Sequence, residues 1–336
     1  MKILLGLDFP PEGPDGKEAP AAVRLLKQVR FSKAEVEVAH VVRPYGTPEP
    51  GLHALLVAAG EDVEQAYAEE RAAAQYLVDR SAAKVGASDG SEPHGIVLVG
   101  RAAASLMSRA DDSYADLIAV NGSGQASLLD KLLTPSVARA IVVGAHQSVL
   151  VARDRPIGPA GANPRRCGGL RAVLATDHSP YANRCIELLC RFAPAGIEHL
   201  DVLTAYPAEQ IQIFRSLVGD MVVDPADAIH DNLAKRNDTV IDILSHHLTG
   251  TTFASHVAAV TVQEAIAQRM AESDADLLIL GAKGHGFVER ILLGSVSFHH
   301  AVVNHPYSVL ILRALARTRN EIEHEPNGPR LWPTRG

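Results

Sequence analysis

Residues 276–297 read DLLILGAKGHGFVERILLGSVS, an apolar run that passes directly into a glycine-rich segment. The run Leu277–Leu280 predicts a buried strand of a parallel sheet. Gly281 and Gly284 follow that strand, and the pair Gly294-Ser295 opens a stretch with the pattern of a helix. A strand, a glycine loop and a helix in this order are typical of an α/β fold in which ligands bind beyond the carboxyl ends of the strands.

The chain contains this pattern twice. Three pairs of segments match between the two halves: DLIAV at 116–120 and DLLIL at 276–280, SVLVAR at 148–153 and SVLILR at 308–313, and KILLGLD at 2–8 and RAVLATD at 171–177. The first two pairs share an offset of 160 residues. Self-similarity at this period indicates a duplicated domain, because solenoid repeats are far shorter.

The domain boundaries follow from composition. Residues 153–170 hold three prolines and four glycines, which predicts a linker. The end of the chain is polar and lacks periodicity. We therefore expect one domain over residues 1–152, the linker over 153–170, a second domain over 171–314 and a loosely ordered tail over 315–336.

Short apolar runs alternate with longer helical stretches in each half. In the second half the predicted strands are residues 172–176, 199–205, 253–260, 277–280 and 308–312, and the predicted helices are residues 183–192, 225–247, 262–273 and 295–304. This alternation predicts two tandem doubly wound α/β domains, each a parallel sheet with helices on both faces. In the strand order 3-2-1-4-5, strands one and four flank the point where the order reverses and ligands bind.

Bulk composition excludes several classes of protein. The chain has 336 residues, 47% of them hydrophobic, and acidic residues outnumber basic ones 39 to 32, so we expect no nucleic-acid binding. The three cysteines form no C-x-x-C pair, and we expect Cys185 and Cys190 to be core residues. No run reaches the roughly 20 apolar residues of a membrane span, and the first apolar run is too short for a signal peptide. A cytoplasmic protein is expected.

The glycine loop has the chemistry of a phosphate site. Gly281 and Gly284 lack a Cβ atom, so they permit a positive φ and close approach of backbone N–H groups to phosphate oxygens. Gly294 and Ser295 begin a helix, whose free N–H groups attract an anion. After the first strand of this half, Asp177 is placed to accept from an adenine amino group or a ribose hydroxyl, to support a phosphate-bound Mg²⁺, or to cap the next helix.

These residues resemble the universal stress protein family in its tandem two-domain form. The resemblance covers about residues 1–152 and 170–313, and its most specific elements are TDHS at 176–179 and the run 281–297. It implies five parallel strands in the order 3-2-1-4-5 and an adenine nucleotide, as ATP, ADP or AMP. It also implies contacts of adenine with Ala175, Asp177 and the backbone around Thr204. For ribose and phosphates it implies contacts with Leu280, Gly281, Gly284, Gly294, Ser295 and Val296.

The first half departs from this pattern. Asn121 stands where the second half has Gly281, and Thr134-Pro135 replaces Gly294-Ser295, although Asp8 and Gly124 match their counterparts. The proline removes one N–H group from the phosphate loop. We therefore predict that the first half binds nucleotide weakly or not at all.

Other chemistries have less support in the sequence. No nucleophile elbow or catalytic triad is found, and we expect Lys283 and His285 to be surface residues. His299, His300 and His305 lack a metal-ligand spacing and are interpreted as packing or surface residues. The first hypothesis is an ATP-binding stress sensor or regulator that forms a homodimer and acts through an unknown protein partner. A slow ATPase and a protein-interaction module without nucleotide are the alternatives.

Overall fold

The computed structural model describes residues 1–8, 20–31, 33–42, 63–85, 92–122, 137–153, 169–208, 224–283, 294–303 and 305–314. The chain divides into two compact units, residues 1–165 with 298–310 and residues 166–297 with 311–336. Most of the first sequence repeat lies in the first unit, and most of the second repeat lies in the second unit.

The first repeat alternates strands and helices along the chain. Its strands are β1 (Lys2–Gly6), β2 (Glu35–Val42), β3 (His94–Val99), β4 (Leu117–Asn121) and β5 (Ser148–Ala152), and its helices are α1 (Ala21–Gln28), α2 (Val63–Val85), α3 (Ala102–Asp112) and α4 (Val137–Gly144). The strands pair in parallel in the order β3-β2-β1-β4-β5. This is the predicted order 3-2-1-4-5.

The second repeat has the same succession of elements. Its strands are β6 (Leu170–Ala175), β7 (Ile197–Ala205), β8 (Thr252–Ala258), β9 (Leu277–Gly281) and β10 (Ser308–Leu312), and its helices are α5 (Pro180–Phe192), α6 (Pro225–Ser245), α7 (Val262–Glu272) and α8 (Ser295–Val302). The order β8-β7-β6-β9-β10 again confirms 3-2-1-4-5. Two-residue strands also occur at Arg30–Phe31 and Pro194–Ala195.

The central strands are buried on both faces. In β4 and β9 the four apolar residues that begin each strand are all buried, as a parallel sheet covered by helices requires. Continuous apolar runs in the sequence therefore mark these strands better than alternation does. In the part of the chain that the structure describes, no helix combines the length and apolar character needed to cross a membrane.

Helix α5 begins three residues before the predicted start. The hydroxyl of Ser179 accepts from the backbone N–H of Ala182, and Pro180 occupies the first turn, where its missing N–H group costs nothing. The helix ends at Phe192, and the following residue, Ala193, is its C-cap with a positive φ of 39°. The prediction of a start at residue 183 was wrong because the cap and the proline were both assigned to the preceding loop.

Each repeat contains a buried carboxylate paired with an arginine of the helix that follows the third strand. Nε of Arg109 in α3 donates to Oε2 of Glu37 in β2 at 3.0 Å. Nε of Arg269 in α7 lies 3.4 Å from Oδ2 of Asp201 in β7, whose Oδ1 is also in contact with Nε2 of His199 and His256. The two pairs are equivalent, since Glu37 is level with Leu4 of β1, and Asp201 is level with Val173 of β6.

Candidate functional site

Three neighbouring strands of the second repeat bring predicted site residues to one edge of the sheet. Ala175, the last residue of β6, is level with Leu280 of β9 on one side and with Leu203 of β7 on the other. Thr204 follows Leu203, so Ala175, Leu280 and Thr204 lie at adjacent strand ends. Because strand order reverses between β6 and β9, this edge is the usual position of a ligand in an open α/β sheet.

The two glycine elements meet at the end of β9. The backbone N–H of Gly294 donates to the carbonyl oxygen of Ala282 at 2.7 Å, and the hydroxyl of Ser297 donates to the carbonyl oxygen of Gly281 at 2.7 Å. These bonds place the start of α8 beside the strand end. Ser295 is exposed and Val296 is half-buried at this helix start. Gly284 and His285 lie outside the described residues.

Ser297 was missed by the sequence analysis. It is the last residue of the run GSVS, one position beyond the residues that the family resemblance implies. Its side chain is buried, and its bond to Gly281 joins the first turn of α8 to β9. One signal was available in the sequence. Ser297 is a polar residue at the third position of the helix, and a polar residue there can donate to the carbonyl oxygen of a nearby strand end.

Gly281 does not adopt the left-handed conformation that glycine permits. It closes β9, and its φ lies outside the positive range. A Cβ atom built here would meet Sγ of Cys185 and Cε1 of Tyr181, each at 3.4 Å, which is ordinary contact distance. The chain is still extended at this residue. The fold alone therefore accommodates an alanine at this position.

Asp177 lies in the loop between β6 and α5 and does not cap the helix. Its Oδ1 accepts from the backbone N–H of Ser179 at 3.0 Å, which forms a turn of the kind that aspartate favours. The cap itself is Ser179. The interpretation of Asp177 as a helix cap is therefore corrected, and its carboxylate is held at the strand edge by the turn.

His178, Thr204 and Asn237 form a buried polar network directly beneath this loop. The Thr204 hydroxyl donates to Oδ1 of Asn237 at 2.8 Å, and Nε2 of His178 lies 3.0 Å from both that oxygen and the hydroxyl. The exposed fraction is 4% for His178, 3% for Thr204 and 0% for Asn237. Water therefore does not reach the polar side-chain atoms of this network, and they satisfy one another. Burial, followed by the nearby charge of Arg236, lowers the pKa of His178 to about 4.

This network was not predicted from the sequence, although one signal was available. Asn237 stands on the apolar face of α6, in the row that continues with Val240 and Leu244, both fully buried. A polar residue in such a row requires hydrogen-bond partners inside the protein. Thr204 was implied only through its backbone, and its side chain is directed to Asn237 and His178.

Aromatic and cationic side chains lie beside Gly281. Nζ of Lys283 lies 5.7 Å and Cζ of Arg184 lies 5.6 Å from the ring centre of Tyr181, distances suited to cation–π contact. Lys283 is half-buried, so it is less exposed than expected of a surface residue. Cys185 is buried, as predicted, and burial raises the pKa of its thiol to about 11. A neutral buried thiol of this kind is not a nucleophile.

In the first repeat, the residue that replaces Gly281 has a structural role. Oδ1 of Asn121 accepts from the backbone N–H of Ala22 in the first turn of α1 at 2.9 Å. Pro20 occupies the N-cap position of that helix and provides no side-chain bond. Asn121 thus supplies the missing cap from a neighbouring strand. Asp8 is exposed, and residues 124, 134 and 135 lie outside the described ranges.

The three C-terminal histidines are close to one another. The ring centres of His299, His300 and His305 lie 5.0 to 5.6 Å apart, and Nδ1 of His300 is 2.9 Å from the Tyr307 hydroxyl. Burial, together with the charges of His305, His299 and Arg153, lowers the pKa of His300 to about 4. Within the residues that the structure describes, no group of three histidine, cysteine or acidic side chains is arranged to hold a metal ion.

Comparison with known proteins agrees with this architecture. The family model described as "Universal stress protein family" matches residues 1–153 and 170–313. A universal stress protein from Archaeoglobus fulgidus DSM 4304 superposes with a TM-score of 0.56 at 19% identity, covering 93% of this chain and 96% of that one. At that identity the likeness shows the fold. No curated protein sequence matches the chain.

Shorter solved structures match one repeat. The universal stress protein UspA from Lactobacillus plantarum has 17% identity and a TM-score of 0.31, with 44% of this chain and 99% of that one covered. A universal stress protein in complex with cAMP has 20% identity and a TM-score of 0.29, with 45% and 95% covered. Both family-model matches together span most of the sequence, and each falls on one doubly wound repeat. The chain belongs to the universal stress protein family, as a tandem of two repeats.

Proposed function

We propose that the second repeat binds an adenine nucleotide, as ATP, ADP or AMP, and that the protein acts as a stress-response sensor or regulator. One observation carries the proposal: the bond from Gly294 N–H to the Ala282 carbonyl, which holds the start of α8 against the end of β9. The start of a helix presents free N–H groups and a positive dipole end, and both favour phosphate. Asp177 lies at the end of the adjacent strand β6.

The proposed contacts divide between the two ends of the nucleotide. Ala175, Asp177 and the backbone around Thr204 would hold the base. The ribose and phosphates would be held by residues of the loop and helix start, namely Leu280, Gly281, Gly284, Gly294, Ser295 and Val296. Asp177 is also the carboxylate that would support a Mg²⁺ ion bound to the phosphates.

We expect one nucleotide per chain. In the first repeat, the Asn121 side chain is engaged with the N-terminus of α1, at the strand end where the second repeat has Gly281. That repeat also has Thr134-Pro135 in place of Gly294-Ser295 in its sequence. A side chain and a proline at these two places oppose close approach of phosphate to the backbone.

Isothermal titration calorimetry with ATP and Mg²⁺ tests the proposal. We expect saturable binding with a stoichiometry of about one per chain, because only the second repeat keeps the loop. Gly294→Val should abolish it, since a branched side chain would occupy the phosphate end. Thr134→Val, at the matching position of the first repeat, is the control and should leave binding intact. Circular dichroism checks that both variants are folded.

The other outcomes identify the alternative functions. Steady Mg²⁺-dependent release of phosphate from ATP, lost in Asp177→Ala, would make the protein a slow ATPase. Absence of binding by ATP, ADP and AMP at millimolar concentration would contradict the proposal and favour a protein-interaction module. A homodimer in the cytoplasm is part of the proposal, and light scattering should give twice the chain mass of 35.8 kDa.

A further inference from the structure

The buried network of His178, Thr204 and Asn237 occupies an unusual place for polar groups. All three side chains lie among apolar residues of the second repeat, on the side of the sheet that α6 covers. Nδ2 of Asn237 donates to the carbonyl oxygens of Val202 at 3.3 Å and His256 at 3.1 Å, so its Oδ1 is the acceptor. The network therefore joins β7, β8 and α6 to the loop that carries His178.

The hydrogen-bond pattern fixes the tautomer of His178. Oδ1 of Asn237 accepts only, so the Nε2 atom of His178 that lies 3.0 Å away must carry the proton. Its low pKa, caused by burial and by Arg236, keeps the ring neutral at physiological pH. A neutral ring with a proton on Nε2 satisfies every described contact of that atom without leaving a buried charge.

His178 is held through its backbone as well as its ring. Its N–H donates to the hydroxyl of Thr176 at 3.1 Å, and its carbonyl oxygen accepts from Nη2 of Arg236 at 3.2 Å. The residue has a φ of 55°, a conformation that costs energy for a side chain of this size. Such a conformation persists because the surrounding bonds determine it, and it sets the direction of Asp177 on one side and Ser179 on the other.

Within its described residues, the first repeat shows no such network. Strand register places His40 where the second repeat has Thr204, and His40 bonds through Nδ1 to the carbonyl oxygen of Leu7. In sequence, Phe9 corresponds to His178 and has no hydrogen-bonding side chain. The fold thus does not require three buried polar side chains at this place, and they occur in the repeat that has the intact glycine loop.

We propose that His178, Thr204 and Asn237 are positioning residues of the nucleotide site, which hold the loop so that the Asp177 carboxylate faces the base end of the ligand. This inference rests on the proposed function. His178 is adjacent to Asp177, and the Asp177 turn closes on Ser179, so a ring anchored below the loop fixes the turn above it. Thr204 acts through this network, because its buried hydroxyl donates to Oδ1 of Asn237 and lies 3.0 Å from Nε2 of His178.

Hydrogen exchange tests the positioning without any ligand. The N–H of Ser179 is bonded to Oδ1 of Asp177, so its exchange rate reports whether the turn is formed. Thr204→Val keeps the shape of the side chain and removes the hydroxyl, and we expect exchange at Ser179 to be at least tenfold faster. Thr204→Ser restores the hydroxyl and should restore protection. Asn237→Leu, which breaks the network from α6, is the second variant and should behave like Thr204→Val.

A matched control separates positioning from general destabilisation. Asp201 lies on the same strand as Thr204, is equally buried, and contacts α7 on the opposite face. Asp201→Asn should lower stability while leaving Ser179 exchange and ATP affinity unchanged. In calorimetry on fully folded samples, Thr204→Val should weaken ATP binding about tenfold, and Thr204→Ser should recover it.

The outcomes distinguish the two proposals. Unchanged protection at Ser179 in both Thr204→Val and Asn237→Leu would overturn the positioning role, whatever the wild-type chain binds. An equal loss of protection in Asp201→Asn would also overturn it. If the wild-type chain binds no adenine nucleotide while Thr204→Val still exposes Ser179, the nucleotide function fails and the control of the Asp177 turn by the network stands.

Discussion

The hydroxyl of Ser297 donates to the carbonyl oxygen of Gly281 at 2.7 Å, although the two residues are separated by the whole glycine loop. A backbone carbonyl at the end of a strand has no further strand partner, and the serine satisfies it from the first turn of α8. The bond fixes the distance between the strand end and the helix start, which are the two parts of the proposed phosphate site.

Replacing Ser297 with alanine should therefore affect both stability and ligand binding. We expect a loss of about 1 kcal/mol in the free energy of unfolding, the usual cost of one hydrogen bond, and weaker nucleotide binding. Urea denaturation and calorimetry measure the two effects. Ser295→Ala is the control for stability. Because Ser295 is exposed, this substitution should change the unfolding free energy by less than about 0.5 kcal/mol. An equal loss in both variants would contradict the role of the bond.

Gly281→Ala should separate the needs of the fold from those of a ligand. Because the φ of Gly281 is not positive and a Cβ atom meets its neighbours at 3.4 Å, stability should change by less than about 1 kcal/mol. Nucleotide affinity should nevertheless fall about tenfold, which corresponds to about 1.4 kcal/mol, since the methyl group occupies the strand edge. Thermal unfolding and calorimetry give the two values. Unchanged affinity would remove Gly281 from the proposed site.

Asn121→Ala should destabilise the first repeat without altering nucleotide binding. The side chain supplies the only described bond to the N–H of Ala22, and the loss of a helix cap costs about 1 kcal/mol. Asn121→Asp keeps the acceptor oxygen and should retain most of the stability. A change in ATP stoichiometry or affinity in Asn121→Ala would indicate that the first repeat also takes part in binding.

Stability should depend on pH through His178. Its pKa in the folded chain is about 4, against an ordinary value of 6.5, so between these values the unfolded chain binds more protons. The free energy of unfolding should therefore decrease as the pH falls from about 6.5 to about 4, by on the order of 3 kcal/mol from this residue. Urea denaturation across this range, compared with His178→Gln, isolates the effect.

A second histidine, His300, should contribute to the same pH dependence of stability and serves as a comparison for His178. Its pKa is also lowered to about 4, so His300→Gln should remove a separate part of the same pH dependence. Each substitution should reduce the slope of the unfolding free energy against pH. Because the two residues are far apart in sequence and share no described contact, the two reductions should add in the double variant. Identical slopes in the wild-type chain and His178→Gln would show that the His178 ring titrates normally in the folded state.

The fold could be predicted in most of its parts because the signals were local. Strands such as β4 and β9 are continuous apolar runs, and matching runs in the two halves reveal the duplication. The start of α5 was missed, since a serine cap followed by proline resembles a loop in sequence. Boundaries of this kind depend on a few hydrogen bonds, which composition and periodicity do not report.

In the candidate site, the sequence indicated the positions of strand ends and helix starts, but not the side chains that meet across the fold. The end of β9 at Gly281 and the start of α8 at Ser295 lie where the glycine pattern of the sequence predicts them. The network of His178, Thr204 and Asn237 joins residues from distant segments, and no spacing along the chain predicts it. The role of Asn121 was likewise hidden, because it caps a helix that lies far away in sequence.

The acid–arginine pairs described with the fold also bear on the history of the chain. Glu37 with Arg109 and Asp201 with Arg269 occupy the same register in the two repeats, although the acids differ by one methylene group. Equal register of both pairs agrees with the internal duplication seen in the sequence. The strand edges of the two repeats differ by contrast, with Asn121 at the end of β4 in one and His178 in the loop after β6 in the other.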